Sequence, residues 1–201
     1  MSFSILTVCT GNICRSPVAE FALAQALGGF EQVEVTSAGT GALVGHGVPV
    51  QAQRLATASG IDASSHAARQ IDPSLVRDAD LILAMAREHR RFVVESLPAA
   101  MRRTFTLREL ARIADGVMDG LPDAVRRAEA KTPEEGMRAA IALAAAMRGT
   151  VPPPASADDF DVIDPYRRDD AVYEQSFSEL KPAADRVATF LKSAAKLATS
   201  S

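Results

Sequence analysis

Ten residues near the N-terminus, Val8-Cys9-Thr10-Gly11-Asn12-Ile13-Cys14-Arg15-Ser16-Pro17, constrain this chain more than any other stretch. They begin where an apolar run at 3–8 gives way to Cys-Thr-Gly-Asn, the pattern of a buried strand entering a loop. Ser16-Pro17 reads as an N-cap with proline at the first helical position, so a helix is expected over 17–27, stopped by Gly28-Gly29. Glu20 then falls in the first turn, where a carboxylate suits the helix dipole.

Five residues between Cys9 and Arg15 let the backbone curl with its N–H groups inward, an anion nest reinforced by the dipole of the following helix. Arg15 closes the ring with a planar fork suited to two oxygens of a phosphoryl group. Cys9 sits at the bottom of the nest, where positive potential stabilises a thiolate, and it is the candidate nucleophile for attack on phosphorus. Arg15 and the amides supply the charge stabilisation, so no metal or cofactor is called for. Gly11 permits close backbone approach and Asn12 tolerates positive φ; Thr10, Ile13, Cys14 and Ser16 complete the phosphate-binding loop.

Beyond the loop, apolar strands are expected at 33–37, 80–85 and 104–107, with helices between them at 49–59, 73–78 and 87–96. That alternation predicts an α/β fold, a four-stranded parallel sheet flanked by helices on both faces, with the site at the strands' carboxyl ends. From Asp115 the chain turns Ala-rich, with helices expected at 123–130 and 133–148 before Pro152-Pro153-Pro154. This reads as a helical insertion at about 115–157 within a single domain spanning 1–201. A loop at 161–166 and a closing helix at 170–198 follow, with Val172, Phe177, Leu180, Val187 and Leu191 inward and a kink or break near Pro182.

Composition narrows the function classes. With 47% hydrophobic and 23% charged residues the chain is globular, and a net charge of −3 supplies no basic field for nucleic acid. The longest nearly apolar stretch, 139–147, is too short to span a bilayer, and the N-terminus lacks the basic start of a signal peptide. These readings give a cytoplasmic protein with no membrane partner. Two cysteines and three histidines do not form a zinc spacing, and C-x4-C is not the redox C-x-x-C.

The loop resembles the signature V-C-x-G-N-I-C-R-S-P of the low-molecular-weight protein tyrosine phosphatase family. Ser37-Ala38-Gly39-Thr40, Ser65-His66-Ala67-Ala68-Arg69-Gln70 and Asp164-Pro165-Tyr166 resemble that family's other landmarks, in the same order. The resemblance implies hydrolysis of aryl phosphate esters on phosphotyrosine-bearing proteins through a cysteinyl-phosphate. It makes Cys9 the nucleophile, Arg15 the phosphate clamp and Asp164 the general acid. It gives Ser16 a hydrogen bond to the Cys9 sulfur, sets Ser37 and His66 to hold Asn12, and packs Tyr166 on the substrate ring.

Two departures bear on substrate. Arg167 follows Tyr166 where a second aromatic is common, and Gly41-Ala42-Leu43-Val44 lacks an aromatic wall. Three alternatives are weighed: a protein-arginine phosphatase, a branch that carries Thr where Ile13 stands; an arsenate reductase using an external thiol; and a non-catalytic phosphate-binding module. Cys14 either packs beneath the loop or traps an oxidised Cys9. His46 and His89 read as surface or packing residues, and Arg87, Arg90 and Arg91 as a solvated helix face.

Overall fold

The computed structural model describes residues 2–200. Its centre is a parallel sheet of β1 (Phe3–Cys9), β2 (Val33–Gly39), β3 (Leu81–Ala84) and β4 (Thr104–Thr106), in the order β2-β1-β3-β4. The helices are α1 (Arg15–Leu27), α2 (Val50–Ala58), α3 (Pro73–Asp78), α4 (Arg87–Ser96), α5 (Leu107–Val117), α6 (Leu121–Arg127), α7 (Pro133–Met147) and α8 (Asp170–Thr199).

Side chains alternate across a strand, so each strand divides its apolar residues between two layers. Phe3, Ile5, Leu81, Leu83 and Phe105 face the larger layer, built with α1, α5, α7 and α8. Leu6, Val8 and Ile82 face the smaller one, with Val76 of α3 and Val93 of α4. β1 lies between β2 and β3, so the connection leaving the carboxyl end of β1 runs toward β2 while the one leaving β3 runs the opposite way, toward β4. An open parallel sheet places its ligand crevice at such a switch point, and here the Cys9 loop occupies it.

Several local expectations are corrected. Helix α1 begins at Arg15 and not at Pro17, with Cys14 at its N-cap and no side-chain cap bond. The Ser16 hydroxyl is not a cap because it is engaged by Cys9 and Asn12. Glu20 is therefore past the first turn, where it accepts a hydrogen bond from Ser37. β4 ends at Thr106, which caps an unexpected helix, α5: Thr106 and Glu109 form a reciprocal capping box.

Helix α8 runs unbroken through Pro182, with Leu180, Val187 and Leu191 buried and Val172 and Phe177 partly so. Met137, Ala140, Ile141 and Ala144 of α7 join the same buried layer as α8. The contact with α8 is backbone-close, since a Cβ on Gly136 would lie 2.4 Å from the Ala194 carbonyl oxygen. Among the described residues no helix is long and apolar enough to cross a membrane.

Candidate active site

Asn12 organises the loop. Its φ of 52° turns the backbone through the left-handed region, which asparagine tolerates better than most residues. Its side-chain amide donates to Ser16 Oγ at 2.9 Å and Ser37 Oγ at 2.8 Å, and its Oδ1 accepts from the Arg69 amide at 2.8 Å. His66 Nε2 donates to the Asn12 carbonyl at 2.6 Å. Ser37 passes its own hydrogen to Glu20 at 2.5 Å. Every polar group of a fully buried side chain is thereby satisfied, as a rigid polar network requires. Burial pushes the Glu20 carboxyl above its ordinary range, against the pull of the Ser37 hydrogen bond, His66 and Arg69.

This network sets the polarity at sulfur. Ser16 Oγ accepts from Asn12, so its hydrogen is available to Cys9 Sγ, 2.9 Å away, and the Asn12 amide N–H points at the same sulfur from 3.3 Å. The sulfur is thus placed as the acceptor of two hydrogen bonds. The end of β2 must come close for this to work: a Cβ on Gly39 would lie 2.4 Å from the Thr10 carbonyl oxygen, so only glycine fits there.

Arg15 is buried at 4% exposure, with its Nη1 donating to the Val162 carbonyl at 3.1 Å and its Nη2 2.8 Å from Asp164 Oδ2. The segment carrying Asp164 is fastened from several sides. The Val162 amide donates to the Met85 carbonyl at 2.8 Å, the Ile163 amide to Glu179 at 2.9 Å, and Arg108 to the Asp161 carbonyl at 2.6 Å. Arg87 forks onto the Asp161 carboxylate at 2.8–3.0 Å and reaches Asp158 at 2.7 Å. Arg87 is exposed, as a solvated helix face implies, and is also a strap on the acid-bearing loop. The sequence carries no signal for Arg108 or Glu179, because the backbone groups they hold lie fifty-three and sixteen residues away, respectively.

The loop, Asp164 and Tyr166 enclose a pocket of about 130 Å³ whose walls include Cys9, Thr10, Gly11, Ile13, Cys14 and Arg15, together with Gly41 and Leu43. Asn12, Ser16, Ser37 and His66 lie behind it as supports. Tyr166 stands at the rim with the Arg167 guanidinium 5.0 Å from its ring centroid. Beneath the loop, Cys14 Sγ approaches the Tyr173 hydroxyl at 4.0 Å, and burial pushes that thiol up to about 12. His46 is exposed and His89 is buried, one at the surface and one in the packing, and His89 in addition places its Nε2 2.9 Å from Thr10 Oγ1.

The sequence profile of low molecular weight phosphotyrosine protein phosphatases matches residues 4–148, well over half the chain. The chain belongs to that family. Over 104 residues it is 38% identical to the low molecular weight protein-tyrosine-phosphatase Ptp of Acinetobacter johnsonii, covering 52% of this chain and 71% of that protein. The tyrosine phosphatase amsI of Erwinia amylovora superposes with a TM-score of 0.64 at 25% identity, covering 94% of this chain and 93% of that one. The arginine phosphatase YwlE of Geobacillus stearothermophilus superposes with a TM-score of 0.66 at 28% identity, over 95% and 94% of the two chains. As a member of the family the chain is a cysteine-based phosphatase with the α/β fold described above.

Proposed function

We propose that this phosphatase hydrolyses phosphotyrosine on protein substrates, with Cys9 as nucleophile, Arg15 as clamp and Asp164 as general acid. The observation that carries the reading is one pocket that joins Cys9, Arg15 and Asp164 and has apolar walls at Ile13 and Leu43 and an aromatic rim at Tyr166. Such walls suit a phenyl ring above a phosphoryl group. The buried Arg15 Nε has no protein partner, which fits a donor reserved for an oxyanion.

In the first step Cys9 sulfur bonds to phosphorus as the phosphorus–oxygen bond to the ring breaks, and Asp164 gives its proton to the departing phenolate. In the second, the Asp164 carboxylate takes a proton from water as that water attacks phosphorus, releasing phosphate and returning Cys9 as thiolate. Arg15 and the loop amides hold the equatorial oxygens in both steps. Ser16, donating to Cys9 Sγ, makes the thiolate a better leaving group in the second. A cytoplasmic location belongs to the same reading, since Cys9 and Cys14 are both free thiols and the nucleophile must stay reduced.

The test is a side-by-side turnover assay on phosphotyrosine, phosphoarginine and, with added small thiols, arsenate. Phosphotyrosine is expected to lead, with activity unaffected by chelator. Replacing Ile13 by Thr is expected to shift preference toward phosphoarginine, because a hydroxyl on that wall can hold a water that isoleucine cannot. A wild-type preference for phosphoarginine would overturn the substrate assignment.

A further inference from the structure

One wall of the pocket is tied to a histidine that the reaction described above does not use. His89, near the start of α4, is 2% exposed, and its Nε2 lies 2.9 Å from the hydroxyl of Thr10, the residue that follows Cys9. Its Nδ1 is buried without a hydrogen-bond partner. Burial, helped by the charge of Arg15, holds its imidazolium down to about 4, so at neutral pH the ring carries a single proton.

Two surroundings decide which nitrogen holds that proton. On Nδ1 it would be a buried donor with no acceptor, the rarest kind of unsatisfied group. The bare Nε2 lone pair would then face the Glu88 carboxylate, whose Oε1 is 3.4 Å away. On Nε2 the proton serves Thr10 and faces that carboxylate favourably, leaving only an acceptor unused at Nδ1.

A hydroxyl has one hydrogen to give and lone pairs to receive with. If His89 donates, Thr10 keeps its hydrogen; if His89 accepts, Thr10 spends it on the ring and shows the pocket only lone pairs, which repel phosphoryl oxygens. We infer that His89 is a positioning residue whose Nε2–H donates to Thr10 Oγ1, fixing the Thr10 hydroxyl as a donor to the phosphoryl oxygens of a bound ester. The assignment rests on the phosphatase reading of the Cys9 pocket and adds to it a side-chain donor that the nest of backbone amides does not supply.

The first measurement is a long-range proton–nitrogen NMR correlation of the histidine rings, with His89→Gln identifying the signal. The Nε2–H tautomer is expected; the Nδ1–H tautomer overturns the inference. The second is the inhibition constant of inorganic phosphate. Thr10→Val and His89→Leu are each expected to raise it by about tenfold, the scale of one hydrogen bond to a charged group. The double variant should be no worse than either, because His89 acts through Thr10. Thr10→Ser and His89→Gln, which keep the hydroxyl and a donor, should stay near wild type.

Additive losses, or wild-type phosphate binding in Thr10→Val, would overturn the role; this second variant also decides the matter if His89→Leu does not fold. A wild type with the Nε2–H tautomer but neither turnover nor phosphate binding would instead overturn the phosphatase reading itself.

Discussion

The Arg15 guanidinium and the Asp164 carboxylate meet at 2.8 Å across the mouth of the loop, the first with 4% of its side chain exposed and the second with 50%. The pair joins the phosphate clamp to the proton donor, so a bound phosphoryl group competes with Asp164 for the same nitrogen atoms. Asp164 is the partner free to move, since its other contact is a hydrogen bond accepted from the Tyr166 amide at 3.1 Å.

Asp164→Ala is therefore expected to separate binding from turnover. Affinity for phosphate or vanadate should hold or rise, because Arg15 loses a competitor, while phosphotyrosine turnover drops by roughly 10²–10⁴-fold. Esters of strongly acidic phenols, which leave readily as anions, should lose less. The measurement is the rate of enzyme phosphorylation against leaving-group pKa: the variant's line should be distinctly steeper, and parallel lines would remove Asp164 from proton delivery.

Cys14 shares the loop with Cys9, but its buried thiol is pushed up to about 12 and is scarcely ionised at neutral pH. With peroxide, Cys9 becomes a sulfenic acid that Cys14 can condense with, expelling water and forming a disulfide. The rate of that second step should rise with pH throughout the range in which the protein stays folded, following the growing thiolate fraction. Mass spectrometry should show a loss of two hydrogens restored by dithiothreitol, and Cys14→Ser should overoxidise. Equal recovery in the two proteins would leave Cys14 with packing alone.

His89 also shapes stability against pH. Its folded-state value of about 4 lies below the ordinary 6.5, so between them the unfolded chain binds a proton that the native state refuses. The neutral ring's full contribution is present above about 6.5 and is lost as pH falls toward 4, by on the order of 3 kcal/mol. Denaturant unfolding across that window should show the decline, and His89→Gln should flatten it. An unchanged slope would mean that another group titrates there.

Gly136 gives a test of the packing of α7. An added Cβ would stand 2.4 Å from the Ala194 carbonyl oxygen and 2.9 Å from the Ala198 Cβ, so Gly136→Ala should cost about 1–3 kcal/mol despite alanine's better helix propensity. Gly29→Ala, whose Cβ would meet nothing within 4 Å, is the control expected to change little. Chemical denaturation of the two variants makes the comparison, and equal stabilities would show that α7 shifts aside without cost.

The catalytic loop was legible in the sequence because its chemistry is local. Cys9, Asn12, Arg15 and Ser16 act within one turn of chain, and the strand before them and the helix after them are written in adjacent residues. The missed helix α5 had its own signal, the Thr106 to Glu109 capping box with Leu107, Leu110, Ala111 and Ala114 along one face. Reading 104–107 wholly as strand concealed it.

What the sequence determined by itself was the alternation of strand and helix, the curl of the loop and the residue types able to bind and attack a phosphoryl group, because propensity, capping and nearest-neighbour geometry act over a few residues. The family resemblance had already named Ser16, Ser37 and His66 as partners of the loop, and only the tertiary structure decided which further side chains serve it from elsewhere. Arg69 joins Ser37 and His66 in pinning Asn12, Ser16 gives up its cap role to serve the sulfur, and Glu20 is drawn from helix dipole to hydrogen-bond partner of Ser37. Arg87, Arg108 and Glu179 hold the acid-bearing segment, and His89 reaches Thr10 across seventy-nine positions of chain. Hydrogen bonds and ion pairs need a partner within about 3–4 Å, and the order of residues along the chain does not specify which distant groups the packing of strands and helices brings to that distance.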